Sequence, residues 1–100
     1  MVQIIRTEEY ASWNLSLRDD RAKARIALRV DRLALGNPGD VKPVGSGLSE
    51  MRIDYGPGYR VYYGKHGDNV ILLLCGGTKS GQSRDIRKAR ALFEKWKAGK

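Results

Sequence analysis

The stretch from Leu48 to Tyr63, Leu-Ser-Glu-Met-Arg-Ile-Asp-Tyr-Gly-Pro-Gly-Tyr-Arg-Val-Tyr-Tyr, constrains this chain more than any other. Gly56-Pro57-Gly58 predicts a tight turn between two strands, because glycine adopts positive φ freely and proline holds φ near about −65°. Side chains alternate faces along a strand. Met51, Ile53 and Tyr55 are therefore expected on one face, with Glu50, Arg52 and Asp54 on the other. In the second arm Tyr59, Val61 and Tyr63 alternate with Arg60 and Tyr62. With the apolar sets sharing the core side, Arg52 and Arg60 come together on the opposite face, beside Glu50. Two guanidinium groups and a carboxylate on a rigid sheet make a phosphate-handling surface. The competing expectation is that these charges simply face water.

The remainder of the chain reads as elements packed around that hairpin. Val2 to Ile5 suits a short strand. Thr7 caps a helix with Glu8 and Glu9 in its first turn, where the helix dipole favours negative charge. Tyr10, Trp13 and Leu17 recur at helical spacing and face the core. Asp19 or Asp20 starts a second helix that runs to Leu35 and stops at Gly36, with Ala22, Ile26, Val30 and Leu33 as its buried stripe. Arg21, Arg25, Arg29 and Arg32 line another side as a basic ridge, which can grip a phosphate backbone or stay solvated. Gly36-Asn37-Pro38-Gly39-Asp40 is a turn cluster. Val41 to Gly47 is expected as a polar loop in which Lys42 can reach a substrate phosphate. Lys65 to Asp68 reads as a turn, and Val70 to Cys75, which lacks polar alternation, as an inner strand. Sequential strands joined by short turns favour antiparallel pairing. Ser80 or Ser83 is expected to cap the last helix, whose seam is Ile86, Ala89, Phe93 and Trp96. Arg84, Arg87, Lys88, Arg90, Lys95 and Lys97 fill its other sides. Gly76-Gly77-Thr78-Lys79-Ser80 departs from a P-loop, since Thr78 stands where a glycine should precede the lysine.

One hundred residues argue for a single domain, 1–100, in the α+β class: a small antiparallel-rich sheet against helices, in the order β-α-α-β-β-β-α. The net charge of +8 is uneven. Residues 1–50 hold 8 Lys/Arg against 7 Asp/Glu, and residues 51–100 hold 11 against 4. Such asymmetry favours a polyanion such as nucleic acid, or an acidic protein. Cys75 stands alone, so an intrachain disulfide is impossible. The start, Met1-Val2-Gln3-Ile4-Ile5-Arg6, lacks the features of a signal peptide, and the longest apolar run, Val70–Cys75, is too short to span a bilayer. A cytoplasmic protein is expected, without membrane contact.

One histidine and one cysteine argue against a zinc site, and neither a metal nor a cofactor is expected. His66 is expected at the surface and Cys75 as a small packed hydrophobe. What remains is arginine- and lysine-based electrostatics. Cleaving RNA needs a deprotonated 2′-hydroxyl, a stabilised phosphate and a protonated leaving oxygen. Arginine suits the second task, and a carboxylate such as Glu50 the first.

The element order and several phrases resemble the RelE/ParE superfamily of toxins, and within it the HigB-like addiction module killer proteins. These phrases are Ala24-Arg25-Ile26, Gly36 to Lys42, Glu50 to Tyr63 and Gly76 to Ser80, of which Glu50 to Tyr63 is the most specific. The resemblance implies the toxin of a type II toxin–antitoxin pair, a ribosome-dependent endoribonuclease that cleaves mRNA and inhibits translation. It implies a cognate antitoxin, expected to carry a DNA-binding helix-turn-helix, with the ribosome and mRNA as further partners. Arg60 matches the arginine of the family's Gly-Tyr-Arg phrase. Arg52 falls at a basic position on the preceding strand, Lys79 near the basic residue after the last strand, and Glu50 where some members have a lysine base. The catalytic set expected is thus Glu50, Arg52, Arg60 and Lys79, with Lys42, Arg21, Arg25, Arg29 and Arg84 binding RNA. The C-terminal tyrosine of RelE has no counterpart; Asp85 lies near that position. ParE-like members inhibit DNA gyrase without catalysis, which makes gyrase inhibition the alternative function. A basic nucleic-acid-binding module without toxicity is a third.

Overall fold

The computed structural model describes residues 2–99. The chain runs β1 (Gln3–Arg6), α1 (Glu8–Ser16), α2 (Asp20–Ala34), β2 (Val41–Gly45), β3 (Leu48–Ile53), β4 (Tyr59–His66) and β5 (Val70–Thr78). A 3-10 turn (Lys79–Gly81) then leads into α3 (Gln82–Ala98). The strands form one mixed sheet in the order β1-β5-β4-β3-β2, with β1 parallel to β5 and the other neighbours antiparallel. The class is α+β, as expected, with β5 inside the sheet.

Two caps set the first helices. The Thr7 hydroxyl accepts from the Tyr10 amide (3.1 Å) and shares its hydrogen between the Leu73 and Leu74 carbonyls (2.9 and 2.8 Å), fastening α1 to β5. Asp19 Oδ1 accepts from the Arg21 and Ala22 amides (2.9 and 3.2 Å), which closes the open end of α2. These bonds, led by the one from Ala22, hold the Asp19 carboxyl below the usual carboxylate range, and the Tyr55 hydroxyl at 3.0 Å adds to them. Ala22, Ile26, Val30 and Leu33 are all buried on one side of α2. After the helix, Gly36 takes φ +83°, a conformation that ends helices and that residues with a Cβ avoid.

Two expectations need correcting. Val41–Gly45 is not a loop but the edge strand β2, paired antiparallel with β3, so four strands rather than three separate α2 from α3. Pro43 lies within it, and an edge position is where a residue without an N–H costs a sheet least. The last helix begins at Gln82 with Gly81 at its N-cap and no side-chain capping bond, so neither Ser80 nor Ser83 caps it.

Helices cover the sheet on both faces. Tyr10 of α1 and Ile26, Val30 and Leu33 of α2 pack on Met51, Ile53, Val61, Tyr63, Ile71 and Leu73. Ala89 and Phe93 of α3 pack on Leu48, Tyr62, Leu72, Leu74 and Cys75. The register of β4 on β5 slips between Tyr62, opposite Cys75, and Tyr63, opposite Leu73. Leu74 is the extra residue, and a bulge of this kind re-aims the side chains that follow it. Leu74 and Cys75 accordingly both face α3, Gly76 turns to Trp13 of α1, and Gly77 turns to Asp85 of α3. The bulge therefore sets a bare glycine beside Arg60.

Candidate nucleic-acid interface

Cross-strand pairing builds the site in two rows on the α3 face of the sheet. Arg52, Arg60 and Gly77 are successive partners in one row; Lys42, Glu50, Tyr62 and Cys75 form the next. Arg52 and Arg60 thus stand opposite each other on one face beside Glu50, as the alternation predicts. The 3-10 turn after β5 adds Lys79. All three cations line one open hollow of about 500 Å³, together with Asp40, Asp54 and the Gly56-Pro57-Gly58 turn. Gly58 adopts φ +79°, and a Cβ there would stand 3.3 Å from Lys79 Cβ and 3.4 Å from Arg60 Nη1. Glycine is what lets the turn close down between these two residues.

Each arginine is held differently. Arg52, its side chain 37% exposed, pairs through Nη2 with Asp40 Oδ1 at 3.0 Å. Arg60, its side chain only 11% exposed, donates from Nη1 to the Gly58 and Tyr59 carbonyls (3.2 and 3.4 Å) and faces Glu50 Oε1 through Nε at 3.8 Å. Lys79 is exposed.

Glu50 does not fit the role of base. It is 0% exposed, and its Oε2 accepts from the Tyr62 hydroxyl (3.1 Å) and Gln82 Nε2 (2.7 Å). The sheet's second face carries α3, so a glutamate that alternation assigns to the polar side is sealed beneath a helix. It meets Arg60 from behind and does not line the hollow. Burial, and then the Glu50 charge and hydrogen bond, push the Tyr62 hydroxyl far above its ordinary value.

The residues expected to bind RNA lie outside the hollow and divide by environment. Arg29 is committed to the fold: Nη1 donates to the Arg52 carbonyl (2.7 Å), and Nη2 to those of Pro38 (3.0 Å) and Asp40 (3.2 Å). Arg25 stacks over the Tyr55 ring, 4.6 Å from its centroid. Arg21 and Lys42 are exposed, and Arg84 is exposed with Nε 3.7 Å from Asp85 Oδ1. Arg25, Arg29 and Arg32 line a second depression of about 240 Å³ that shares Ile53 and Asp54 with the hollow. The α2 ridge therefore runs up to the rim of the site.

Sequence reasoning missed Tyr62 and Gln82 as neighbours of the site, and brought in Asp85 only as lying near the position of the family's C-terminal tyrosine. The parity of Tyr62 with Glu50 and Arg60 was a usable signal for the first; nothing local pointed to Gln82. Asp85 is buried over Gly77 in the first turn of α3. Cys75 is buried, and desolvation, with the Asp85 carboxylate adding to it, pushes its thiol up to about 12. It is a packed thiol, protonated at neutral pH. His66 is exposed at the end of β4, edge-on to Trp96 with ring centroids 5.0 Å apart. No group of three or more His, Cys, Asp or Glu able to hold a metal occurs among the described residues. No helix among them is long and apolar enough to cross a membrane.

Fold and site together define an α+β domain that presents arginine and lysine on a sheet-end hollow. A protein of Haemophilus influenzae, described as an uncharacterized protein, is 46% identical over 93 residues, covering 93% of this chain and 94% of that one. The chain belongs to the same family as that protein. No family model matches it.

Proposed function

We propose that the protein is a RelE/ParE-type toxin of a type II toxin–antitoxin pair, an endoribonuclease that cuts mRNA on the ribosome and so stops translation in the cytoplasm. One observation carries this reading: Arg52, Arg60 and Lys79 arrive from three different elements at one open hollow of about 500 Å³. Three cations at one place suit a phosphate whose charge grows as the attacking oxygen adds. The 2′-oxygen bonds to phosphorus as the bond to the 5′-oxygen breaks, and the leaving 5′-oxygen takes its proton from water. Arg60, backed by a buried carboxylate, is the fixed donor of the set, and Arg52 and Lys79 flank it. With Glu50 sealed off, the base's task passes to Asp54, the hollow's carboxylate that no arginine holds among the described residues. Arg21, Arg25, Arg32, Lys42 and Arg84 supply sequence-independent attraction for the RNA backbone outside the hollow. Its partners on this reading are mRNA, the ribosome and a cognate antitoxin.

The test is Arg60→Ala, assayed by growth arrest and by cleavage of mRNA on programmed ribosomes. Loss of one preorganised donor typically costs about 10²–10³ in rate. A folded Arg60→Ala protein that cuts at the native rate overturns the assignment. So does a native protein that blocks gyrase supercoiling and leaves mRNA intact, which would make it a ParE-like inhibitor.

A further inference from the structure

Behind the hollow lies a carboxylate that packing alone does not explain. Glu50 is fully buried beside a cluster that includes Leu48, Tyr62, Leu72 and Leu74. Exchanging a buried ion pair for apolar groups of similar volume is often neutral or stabilising, so the core has no need of a charge here. Two other elements nevertheless converge on it. Tyr62 from β4 and Gln82 from the first turn of α3 both donate to Oε2, which fixes the carboxylate plane. Among the described residues the other oxygen, Oε1, has no hydrogen-bond partner; neither has Arg60 Nε, and the two face each other at 3.8 Å. None of Glu50, Tyr62 and Gln82 lines the hollow.

We propose that Glu50 is a positioning residue which Tyr62 and Gln82 lock in place, so that Arg60 presents one orientation of its guanidinium to the hollow. The idea rests on reading the hollow as a phosphate site. A planar fork donates to phosphate oxygens only along fixed directions, and a guanidinium free to turn about its stem loses that match. Gln82 also ties the start of α3, and hence the 3-10 turn carrying Lys79, to the strand behind Arg60. The locking contacts thus set the spacing of two of the three cations.

The test uses the full chain labelled with ¹⁵N, as native protein, Gln82→Ala and Tyr62→Phe. Two quantities are read: hydrogen exchange at Arg60 Nε, and kcat against KM for mRNA cleavage on ribosomes. Arg60 Nε is shielded by burial against Glu50, so in both variants its exchange should rise by about tenfold, the change that losing one bond to Glu50 Oε2 makes in the opening that exposes it. The value of kcat should fall, by up to about 10²-fold, with KM little changed, because misplacing a catalytic group acts mainly on the reacting complex. Glu50→Gln, which keeps an acceptor and removes the charge, should raise exchange at Arg60 Nε as well. If both variants melt at lower temperature while exchange at Arg60 Nε stays native, Glu50 only packs and the proposal fails. If exchange rises in all three variants but native protein cuts no RNA, the positioning role stands and the nuclease reading falls.

Discussion

Asp85 places its carboxylate over the bare backbone of Gly77, in space that a Cβ at position 77 would enter. The contact lets the first turn of α3 settle on β5 beside the row that carries Arg52 and Arg60. It joins two features that lie apart in sequence: the bulge at Leu74, which turns Gly77 to this face, and the helix start that follows Lys79.

Gly77→Ala should therefore lower stability. The added methyl cannot share space with the carboxylate, and overpacking of this kind typically costs about 1–3 kcal/mol. In thermal melts the double variant Gly77→Ala/Asp85→Ala should recover part of that loss, because the two positions are in direct contact. Strict additivity of the two single changes would show that the clash is relieved elsewhere.

Arg29→Ala should act on the fold. Its guanidinium donates to three carbonyls that tie α2 to the 38–40 turn and to Arg52. Hydrogen bonds from charged groups contribute about 1.5–3 kcal/mol, so urea midpoints should fall clearly. Arg21→Ala, at an exposed position on the same helix, should stay within about 0.5 kcal/mol of native. Equal effects of the two would show that Arg29 holds the fold no more than Arg21 does.

Asp40→Ala should strengthen RNA binding. The Asp40–Arg52 pair at 3.0 Å is well exposed, and pairs of that kind are worth about 0–1 kcal/mol, so stability should barely change. The backbone carbonyl of Asp40, which accepts from Arg29 and from the Arg52 amide, survives the substitution. Released from its carboxylate, Arg52 gives the hollow one more net positive charge. Affinity for a short single-stranded oligoribonucleotide should rise and its salt dependence steepen. Weaker binding would mean that Asp40 is needed to aim Arg52.

Stability should fall in alkali. Tyr62 and Cys75 both titrate higher in the fold than their ordinary values of 10.0 and 9.0, chiefly because burial disfavours the charged form. Above pH 9.0 the unfolded chain loses the thiol proton first and binds fewer protons than the fold, so unfolding gains. This contribution is fully present below pH 9.0 and is lost as pH rises through the folded value of about 12. Denaturation midpoints should fall over that window, and less steeply in Cys75→Ala. An unchanged slope in that variant would show that the thiol is not a source.

Several of these features were legible in order along the chain. Alternation in Leu48–Tyr63 placed Arg52 beside Arg60, and the spacing of Ala22, Ile26, Val30 and Leu33 gave the buried side of α2. Both patterns are properties of a single strand or helix, repeated every two residues or every three to four. β2 was not legible, because Val41-Lys42-Pro43-Val44-Gly45 has little strand character until β3 offers it an edge. The same holds for the parallel pairing of β1 with β5, made by segments more than sixty positions apart.

By itself, then, the sequence determined the α+β class, the cap at Thr7, a helix start at Asp19 or Asp20, the arginine pair and the basic balance, since each depends on near neighbours or on composition alone. The tertiary structure decided what each charge is able to do. Once α3 lies over the second face of the sheet, Glu50 is shut away from solvent while Arg52 and Lys79 stay beside an open hollow. Burial depends on which distant element covers a residue, and no local pattern records that.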